Sequence, residues 1–200
     1  SVVAGTPTFL KSIIRAGKPH QFRSVRLFVA GAEKAPDELF KLVESLGTGA
    51  QVIEGYGITE CSPIVCVNRP EKARLGVGEP IPGTEVIIVS PDTLQLLPPG
   101  ELGLALIRGP GVFGGYLGGS PDPFLTVGGQ RWYNSGDLGR IQDGRLVLAG
   151  RLKRFVKIAS EMISLPAVEE CLQDKWPSVD GAPNLAVVSL QSQDGERPLF

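Results

Sequence analysis

The first 60 residues alternate between short apolar runs and amphipathic stretches whose apolar residues recur every three or four positions. The apolar runs predict buried strands over residues 2–4, 25–30 and 51–54. The first amphipathic stretch predicts a helix that is capped by Thr6, starts at Pro7 and ends at Gly17. The second predicts a helix between Pro36 and Gly47. This alternation predicts α/β layering with a parallel sheet.

From about residue 80 the pattern changes to short strands separated by Gly, Pro and Asp, which is typical of an antiparallel sheet. Strands are predicted over residues 85–90, 101–107, 137–141 and 145–148. Asp143 and Gly144 predict a tight hairpin between the last two, because this dipeptide tolerates the positive φ angles of such a turn. Beyond Gly150, the pattern predicts a basic strand, a helix and a further strand over residues 151–158, 167–175 and 185–190.

These elements predict an α/β fold with an antiparallel β subdomain. We expect residues 1–150 to form one domain, with residues 1–79 α/β and residues 80–150 mostly β. Residues 151–200 are expected to begin a second, small α+β domain. Because the chain starts in a predicted strand and stops soon after another, we expect it to be part of a longer protein.

Charge and composition argue against several classes of binding partner. The formal net charge is −1 and both signs are interspersed, so no basic patch favours a nucleic acid or an anionic membrane. Cys61, Cys66 and Cys171 form neither a disulfide framework nor a zinc-binding CxxC pair, which favours a reducing cytosol. No apolar run reaches the roughly 18 residues that cross a bilayer. Any membrane association would therefore be peripheral.

Candidate chemistry first appears in Gly55-Tyr56-Gly57-Ile58-Thr59-Glu60, where a parallel strand is predicted to end. Open α/β sheets bind ligands at such ends. Tyr56 offers a flat face for a purine, Thr59 a hydroxyl for a phosphate, and Glu60 an oxygen ligand for Mg²⁺. The alternative is a glycine-rich loop with no ligand, since a string this short specifies little by itself.

Two further segments contain residues that could bind a ligand. Asp137, which follows a Ser-Gly pair, could accept hydrogen bonds from both hydroxyls of a ribose, or could simply cap its own turn. Residues 150–169 place Arg151, Lys153 and Arg154 ahead of a β run. Such cations also occur on solvated strand edges, where they oppose aggregation.

In this order and spacing, the three segments resemble the motifs of the acyl-adenylate-forming superfamily, which includes acyl-CoA synthetases, luciferases and peptide-synthetase adenylation domains. Gly31-Ala32-Glu33 resembles that family's adenine-side loop, and residues 100–103 and 108–117 resemble its next signature. The resemblance spans essentially the whole chain. It implies the C-terminal half of the large adenylate-forming domain followed by the start of the small mobile domain.

The resemblance also implies roles for individual residues. The catalytic set would be Thr59, Glu60 and Lys157, with Glu60 also holding Mg²⁺. The nucleotide, ATP, would be bound by residues on both sides of the base and on the ribose: Gly31, Ala32, Glu33, Gly55, Tyr56, Gly57, Asp137, Leu148 and Arg151. Lys153 would be the hinge about which the small domain rotates, and Lys157 would belong to the thioester-forming face.

Within the superfamily, residues 54–62 and 150–163 are most similar to the synthetase half of the bifunctional acyl-acyl carrier protein synthetase and 2-acylglycerophosphoethanolamine acyltransferase. This implies activation of a fatty acid as acyl-AMP and its transfer to acyl carrier protein, for phospholipid acylation. The implied partners are a fatty acid and acyl carrier protein or coenzyme A. The implied location is cytoplasmic, with association of the full-length protein with the inner membrane left open.

Other assignments stay open at this point: a long-chain acyl-CoA ligase, a fatty acyl-AMP ligase, or a non-catalytic nucleotide- or carrier-binding module. The family's phosphate loop and its C-terminal lysine are not in these 200 residues, so we expect the chain alone not to turn over ATP. Ser160 stands where the motif usually has glycine, and serine would strain that turn if it needs a positive φ.

Two apparent motifs are rejected. Residues 109–114 formally match GxGxxG, but their prolines and glycines do not open the helix that a dinucleotide site needs. His20 is the single histidine, and no GxSxG nucleophile accompanies it. Because residue 25 is valine, His20 also does not begin the His-x-x-x-x-Asp motif of glycerophospholipid acyltransferases. The sequence therefore excludes a hydrolase triad within this chain, and any glycerophospholipid acyltransferase activity would lie elsewhere in the full-length protein.

Overall fold

The computed structural model describes residues 1–118, 121–158, 161–177, 184–192 and 195–199. Two units divide the chain: Ser1–Ser135 with Gly139–Leu148, and Gly136–Leu138 with Ala149–Phe200. The domain boundary expected near residue 150 concerns the full-length protein and stays a prediction.

The first unit begins with a five-stranded sheet and two helices. In chain order the elements are β1 (Val2–Gly5), α1 (Pro7–Ala16), β2 (Leu27–Ala30), α2 (Asp37–Glu44), β3 (Gln51–Gly57), β4 (Ile64–Val67) and β5 (Glu79–Pro80). The spatial order of the strands equals their chain order. Strands β1, β2 and β3 are parallel, as the alternation predicts. Strands β3, β4 and β5 pair antiparallel.

The two helices start and stop for local reasons. The Thr6 side chain accepts a hydrogen bond from the Phe9 amide at 3.2 Å, which caps α1. Helix α2 follows Pro36 and carries Asp37 and Glu38 in its first turn, where acidic side chains oppose the helix dipole. Both helices bury their apolar side chains in one core cluster with the parallel strands, centred on Leu10, Phe28 and Leu39.

Strand β3 corrects the sequence prediction. Its parallel pairing with β2 ends at Glu54, where the strand was predicted to end, but the strand itself continues to Gly57. Residues 55–57 now pair antiparallel with β4, with a bulge between Tyr56 and Gly57. The strands β4 and β5, which are short, have no counterpart in the prediction.

A second sheet follows. Its strands are β6 (Glu85–Val89), β7 (Gly103–Arg108), β8 (Phe124–Val127), β9 (Gln130–Gln142) and β10 (Arg145–Arg151). The order is β10-β9-β7-β6, with β8 paired to β9. The hairpin between β9 and β10 is confirmed, since Asp143 and Gly144 have φ values of 50° and 73°. A second core cluster, which contains Tyr56, Ile107, Tyr133 and Leu146, lies against this sheet.

The second unit contains two antiparallel strand pairs and a helix. Its elements are β11 (Phe155–Ile158), β12 (Glu161–Ser164), α3 (Leu165–Leu172), β13 (Val188–Ser192) and β14 (Gly195–Leu199). The prediction of one strand over residues 151–158 is wrong, because a 3-10 turn, Leu152–Arg154, separates β10 from β11. None of the described helices is long and apolar enough to cross a membrane.

Candidate active site

Two loops leave the parallel sheet at neighbouring strand ends. The loop at Gly31 follows β2, and its amide donates to the Gly5 carbonyl at 3.2 Å. A Cβ placed on Gly31 would lie 3.9 Å from the carbonyl oxygen of Gly55. The structure therefore brings the predicted adenine-side loop beside Gly55, the first residue of β3 beyond its parallel pairing with β2, at the sheet edge where α/β folds bind ligands.

Backbone strain marks the middle of this loop. Ala32 has a φ of 68°, in the left-handed region that a Cβ disfavours. Glu33 is exposed, and its carboxylate accepts a hydrogen bond from the Thr8 hydroxyl at 3.3 Å. Strained residues that surrounding contacts hold in place are frequent at ligand sites. Ala32 and Glu33 accordingly lie on a fixed but accessible loop.

The contact that holds the loop comes from Glu54, which sequence reasoning did not identify as a functional residue. The Glu54 side chain is buried, and its Oε1 accepts a hydrogen bond from the Ala35 amide at 3.0 Å. Arg74 Nε lies 3.3 Å from Glu54 Oε2, and its guanidinium stacks over Phe40 at 4.3 Å. An acidic residue inside an apolar strand was the available signal, because a buried carboxylate needs partners.

In the segment of residues 55–60, Gly57 cannot be replaced by a larger residue without a steric clash. A Cβ on Gly57 would overlap the carbonyl oxygen of Pro63, because the chain turns back tightly into β4.

Tyr56 is buried, with 9% of its surface exposed, and belongs to the second core cluster. Leu148 packs against the same cluster, so the structure gathers two of the predicted base-side residues in one region. Stacking of Tyr56 on a purine stays a prediction.

Thr59 and Glu60 begin a 3-10 turn, Thr59–Cys61, directly after β3. Thr59 is exposed and Glu60 is half-buried. The Tyr116 hydroxyl donates to Glu60 Oε1 at 2.6 Å, and the Phe113 amide donates to the Glu60 carbonyl at 2.9 Å. The sequence had placed Tyr116 in a signature without a role, and a contact across 56 positions leaves no local pattern.

Burial perturbs the groups around this turn. It raises the pKa of the Cys61 thiol to about 11, with help from the neighbouring Glu60 charge, and that of Cys66 to about 12. The pKa of Tyr133 is also raised, chiefly by burial. These three groups are therefore protonated at neutral pH and offer no nucleophile.

Among the described residues, no three or more His, Cys, Asp or Glu side chains are grouped so that they could hold a metal ion. Mg²⁺ is usually bound by one or two carboxylates together with phosphate oxygens and waters, rather than by an all-protein cage. Glu60, a single half-buried carboxylate beside an exposed threonine, fits a metal ion that is shared with a phosphate.

In the second unit, Asp137 and Arg151, the two residues predicted to bind a ribose, form an ion pair. Asp137 is buried, and Arg151 Nε lies 2.8 Å from its Oδ1 while most of the Arg151 side chain is exposed. A Cβ on Gly136, which has a φ of 70°, would lie 3.9 Å from the same guanidinium. A fixed carboxylate beside an accessible guanidinium suits a ligand with vicinal hydroxyls. Ribose binding stays a prediction.

The remaining predicted residues lie around the 3-10 turn. Lys153, the predicted hinge, is exposed within Leu152–Arg154, and Lys157 is exposed on β11. Next to the hinge, Arg154 makes two hydrogen bonds to Glu169, at 2.6 and 2.7 Å. The hinge residue is thus followed by a residue that is anchored within the second unit. Ser160, the departure from the motif, lies outside the described residues.

The rejected motifs are also located. Residues 109–114 form turns rather than the start of a helix, which agrees with their rejection as a dinucleotide fingerprint. His20 is exposed in a short 3-10 helix, Pro19–Phe22, within the first unit.

Comparison with known proteins supports this picture. The profile of a family described as AMP-binding enzyme matches residues 1–117. A chloroplastic long-chain-fatty-acid–[acyl-carrier-protein] ligase of Arabidopsis thaliana is 34% identical over 144 residues, which are 66% of this chain and 20% of that protein. A mitochondrial medium-chain acyl-CoA ligase of Rattus norvegicus is 34% identical over 192 residues, which are 91% of this chain and 31% of that protein.

Solved structures agree in fold. ATP-bound MatB from Rhodopseudomonas palustris matches with a TM-score of 0.76 and 26% identity, over 99% of this chain and 39% of that one. The O-succinylbenzoate coenzyme A synthetase MenE from Bacillus subtilis, in complex with AMP, matches with a TM-score of 0.76 and 26% identity, over 99% and 40%. The chain thus spans well under half of the proteins it matches. The predicted α/β fold with an antiparallel β part is confirmed.

Proposed function

The chain belongs to the AMP-binding enzyme family, and on that premise we propose that the full-length protein activates a fatty acid with ATP and transfers it to a thiol. A carboxylate oxygen of the fatty acid attacks the α-phosphorus of ATP, and the bond to the pyrophosphate oxygen breaks. The products are acyl-AMP and pyrophosphate. A thiol then loses its proton and attacks the acyl carbon, and AMP leaves with the electron pair of the anhydride bond.

The observation that supports this proposal most strongly is that the loop after β2 lies beside Gly55 in β3, shortly before the turn that carries Thr59 and Glu60. Gly31 lies beside Gly55, and Thr59 and Glu60 follow directly after β3. In our proposal Gly31, Ala32 and Glu33 line one side of the adenine, and Gly55, Tyr56 and Gly57 with Leu148 line the other.

We assign binding of the phosphates to the 3-10 turn Thr59–Cys61. The Thr59 hydroxyl donates a hydrogen bond to a phosphate oxygen, and Glu60 holds Mg²⁺ through its carboxylate. When bound, Mg²⁺ supplies charge neutralisation at the phosphates. Thr59 and Glu60 contribute orientation, since alignment of the two reactants provides much of the acceleration in such displacements.

We place the ribose at Asp137 and Arg151. The buried Asp137 carboxylate accepts hydrogen bonds from the ribose hydroxyls, and Arg151, 2.8 Å away, orients that carboxylate. Lys153 is proposed as the hinge of the second unit, and Lys157 as a residue of the thioester-forming face. A few backbone dihedrals near Lys153 suffice for such a motion.

For the thiol acceptor, we propose the phosphopantetheine of acyl carrier protein, with phospholipid acylation as the use of the product. The similarity to the Arabidopsis carrier-protein ligase supports this acceptor, as does the resemblance of residues 150–163 to the carrier-protein synthetases. A second candidate is coenzyme A, because the rat acyl-CoA ligase matches a larger share of the chain.

Pyrophosphate exchange by the full-length protein tests the activation step. We expect Glu60→Ala to lower fatty-acid-dependent exchange about a hundredfold, the size of loss typical for a group that stabilises transition-state charge. Asp137→Ala should also lower exchange, because the ribose loses its acceptor and ATP is positioned less well. Matched controls are Glu71→Ala and Asp174→Ala, which remove exposed acids from the same two units and should leave exchange unchanged. Wild-type exchange in both test variants would overturn the site.

The acceptor is tested separately. The full-length protein, ATP and labelled palmitate are incubated with acyl carrier protein or with coenzyme A, and the labelled thioester is measured. Thioester on the carrier protein supports our proposal. Thioester on coenzyme A alone would replace it with the second candidate while leaving the activation step intact.

A further inference from the structure

The Tyr116 hydroxyl lies on the side chain of Glu60, although the two residues are 56 positions apart. The donor–acceptor distance to Glu60 Oε1 is 2.6 Å, which is typical of a strong hydrogen bond to an ionised carboxylate. Tyr116 is half exposed, with 49% of its surface accessible. The contact therefore lies at the edge of the core, where a ligand could reach the carboxylate.

Backbone contacts hold the Tyr116 segment against the Glu60 turn. The Phe113 amide donates to the Glu60 carbonyl at 2.9 Å. A Cβ on Gly111 would lie 2.8 Å from the Cys61 carbonyl oxygen, so the two backbones pass too closely for a larger residue. Glu60 is consequently held at its main chain by Phe113 and at its carboxylate by Tyr116.

Aromatic packing fixes the hydroxyl itself. The Tyr116 ring meets Phe113 edge to face, with 4.8 Å between ring centroids. Phe113 meets the buried Tyr133 in the same way at 5.5 Å, so the ring that packs on Tyr116 is itself held against the core. The Tyr116 ring therefore rests on Phe113 and, through it, on Tyr133, and the hydroxyl on Glu60 cannot shift far without disturbing these packed rings.

We propose that Tyr116 is a positioning residue that orients the Glu60 carboxylate for a metal–nucleotide complex. The inference rests on the proposed function, in which Glu60 holds Mg²⁺. A glutamate loses rotamer freedom when it binds a metal ion, and Mg²⁺ demands nearly ideal octahedral geometry. A hydroxyl on Oε1 limits that freedom in advance, as hydrogen-bond partners of metal ligands do in other sites.

The test variant is Tyr116→Phe in the full-length protein, which removes the hydroxyl and keeps the ring on Phe113. Mn²⁺ is the probe, and its affinity for the protein–ATP complex is measured by electron paramagnetic resonance. We expect Tyr116→Phe to weaken Mn²⁺ binding about tenfold, because loss of a metal ligand's partner usually has that effect. The apparent KM for Mg²⁺ in pyrophosphate exchange should rise by a similar factor, with kcat at saturating Mg²⁺ nearly unchanged.

Leu117→Ala is the matched control, since Leu117 is 95% exposed and adjacent to Tyr116. Its Mn²⁺ affinity should equal that of the wild type. In a Glu60→Gln background, adding Tyr116→Phe should cause no further loss, because a positioning residue acts only through the group it positions. Phe113→Leu, which removes the ring that packs edge to face on Tyr116, should weaken Mn²⁺ binding by a smaller factor and tests the same proposal if Tyr116→Phe does not fold.

The outcomes are separable. Equal Mn²⁺ affinity in Tyr116→Phe and wild type would overturn the positioning role and leave the proposed function standing. The same holds if Tyr116→Phe causes its full loss in the Glu60→Gln background, since Tyr116 would then act elsewhere. A wild-type protein that binds ATP without any dependence on a divalent cation would instead remove the proposed role of Glu60, and this inference with it.

Discussion

Arg151 Nε lies 2.8 Å from Asp137 Oδ1, so that an exposed guanidinium is joined to a buried carboxylate. A buried carboxylate needs a partner that compensates its lost hydration, and the Arg151 guanidinium is that partner here. The pair therefore defines a charged, oriented acceptor on the second unit.

The first prediction concerns this pair. Arg151→Lys keeps the positive charge but loses the planar fork that orients the carboxylate. We expect the KM for ATP to rise about tenfold while the free energy of unfolding falls by about 1 kcal/mol or less, since the guanidinium is exposed. Steady-state kinetics and urea unfolding of the full-length protein measure both. Arg131→Lys, which alters another exposed arginine paired with an acid, is the control and should leave the KM unchanged.

The second prediction concerns Ala32. Replacing alanine with glycine normally destabilises a protein by about 0.4–1 kcal/mol through the unfolded chain. At Ala32 the substitution also relieves a left-handed conformation that costs about 1–2 kcal/mol for a residue with a Cβ. Ala32→Gly should therefore be neutral or slightly stabilising, whereas Ala73→Gly, in an exposed loop without positive φ, should destabilise. A clear loss of stability in Ala32→Gly, measured by urea unfolding, would contradict the argument.

The third prediction concerns Gly57. Its missing Cβ leaves space for the Pro63 carbonyl, and a backbone atom cannot move aside as a flexible side chain can. Gly57→Ala should destabilise the first unit by about 2 kcal/mol or more through overpacking. Gly114→Ala provides the control, because nothing lies within 4 Å of a Cβ there and its φ is not positive. Thermal unfolding should separate the two variants, and similar midpoints would speak against the close approach.

The fourth prediction concerns pH. Burial pulls the pKa of Glu169 upward, but hydrogen bonds from Arg154 and the Val187 amide, together with the Arg154 charge, outweigh it and lower the pKa below 4.5. A lowered folded-state pKa gives stability that is present above the unfolded value and is lost as pH falls through the folded value. Glu169→Gln should therefore cost about 1 kcal/mol at pH 7, a modest value because the pair is partly exposed, and progressively less below pH 4.5.

Urea unfolding at pH 7 and at about pH 3 checks this dependence. Glu170→Gln changes the adjacent exposed acid and serves as the control at both pH values. A wild-type advantage over Glu169→Gln that did not shrink at the lower pH would show that the Glu169 charge is not responsible.

The elements that the sequence predicted correctly are those with local causes. The Thr6 cap, the helix that follows it and the Asp143-Gly144 turn each depend on residues within a few positions of one another. The 3-10 turn that interrupts residues 151–158 was missed because Leu152–Arg154 contains no Gly, Pro, Asn or Asp to mark a turn, while Phe155, Val156 and Ile158 favour a strand.

The candidate site likewise has features that the sequence predicted and contacts that it could not predict. The predicted end of a parallel strand indicated a ligand site at residues 55–60, and the family resemblance indicated that Gly31 belongs to it; the structure places Gly31 beside Gly55. The two contacts that orient this region, Glu54 to the Ala35 amide and Tyr116 to Glu60, join residues 19 and 56 positions apart. Periodicity and turn chemistry report on neighbours in the chain, so they could not indicate either contact.

Strand β3 pairs with a parallel neighbour up to Glu54 and with an antiparallel one from Gly55 onward. Its two halves therefore differ in loop-closure entropy: the antiparallel partner follows after a turn of a few residues, whereas β2 is reached only through a helical crossover. Short-range pairing forms earlier in folding than long-range pairing. We expect the turn that carries Thr59 and Glu60 to be ordered before the sheet that supports it, so hydrogen exchange during refolding should protect Cys66 and its neighbours ahead of β1 and β2.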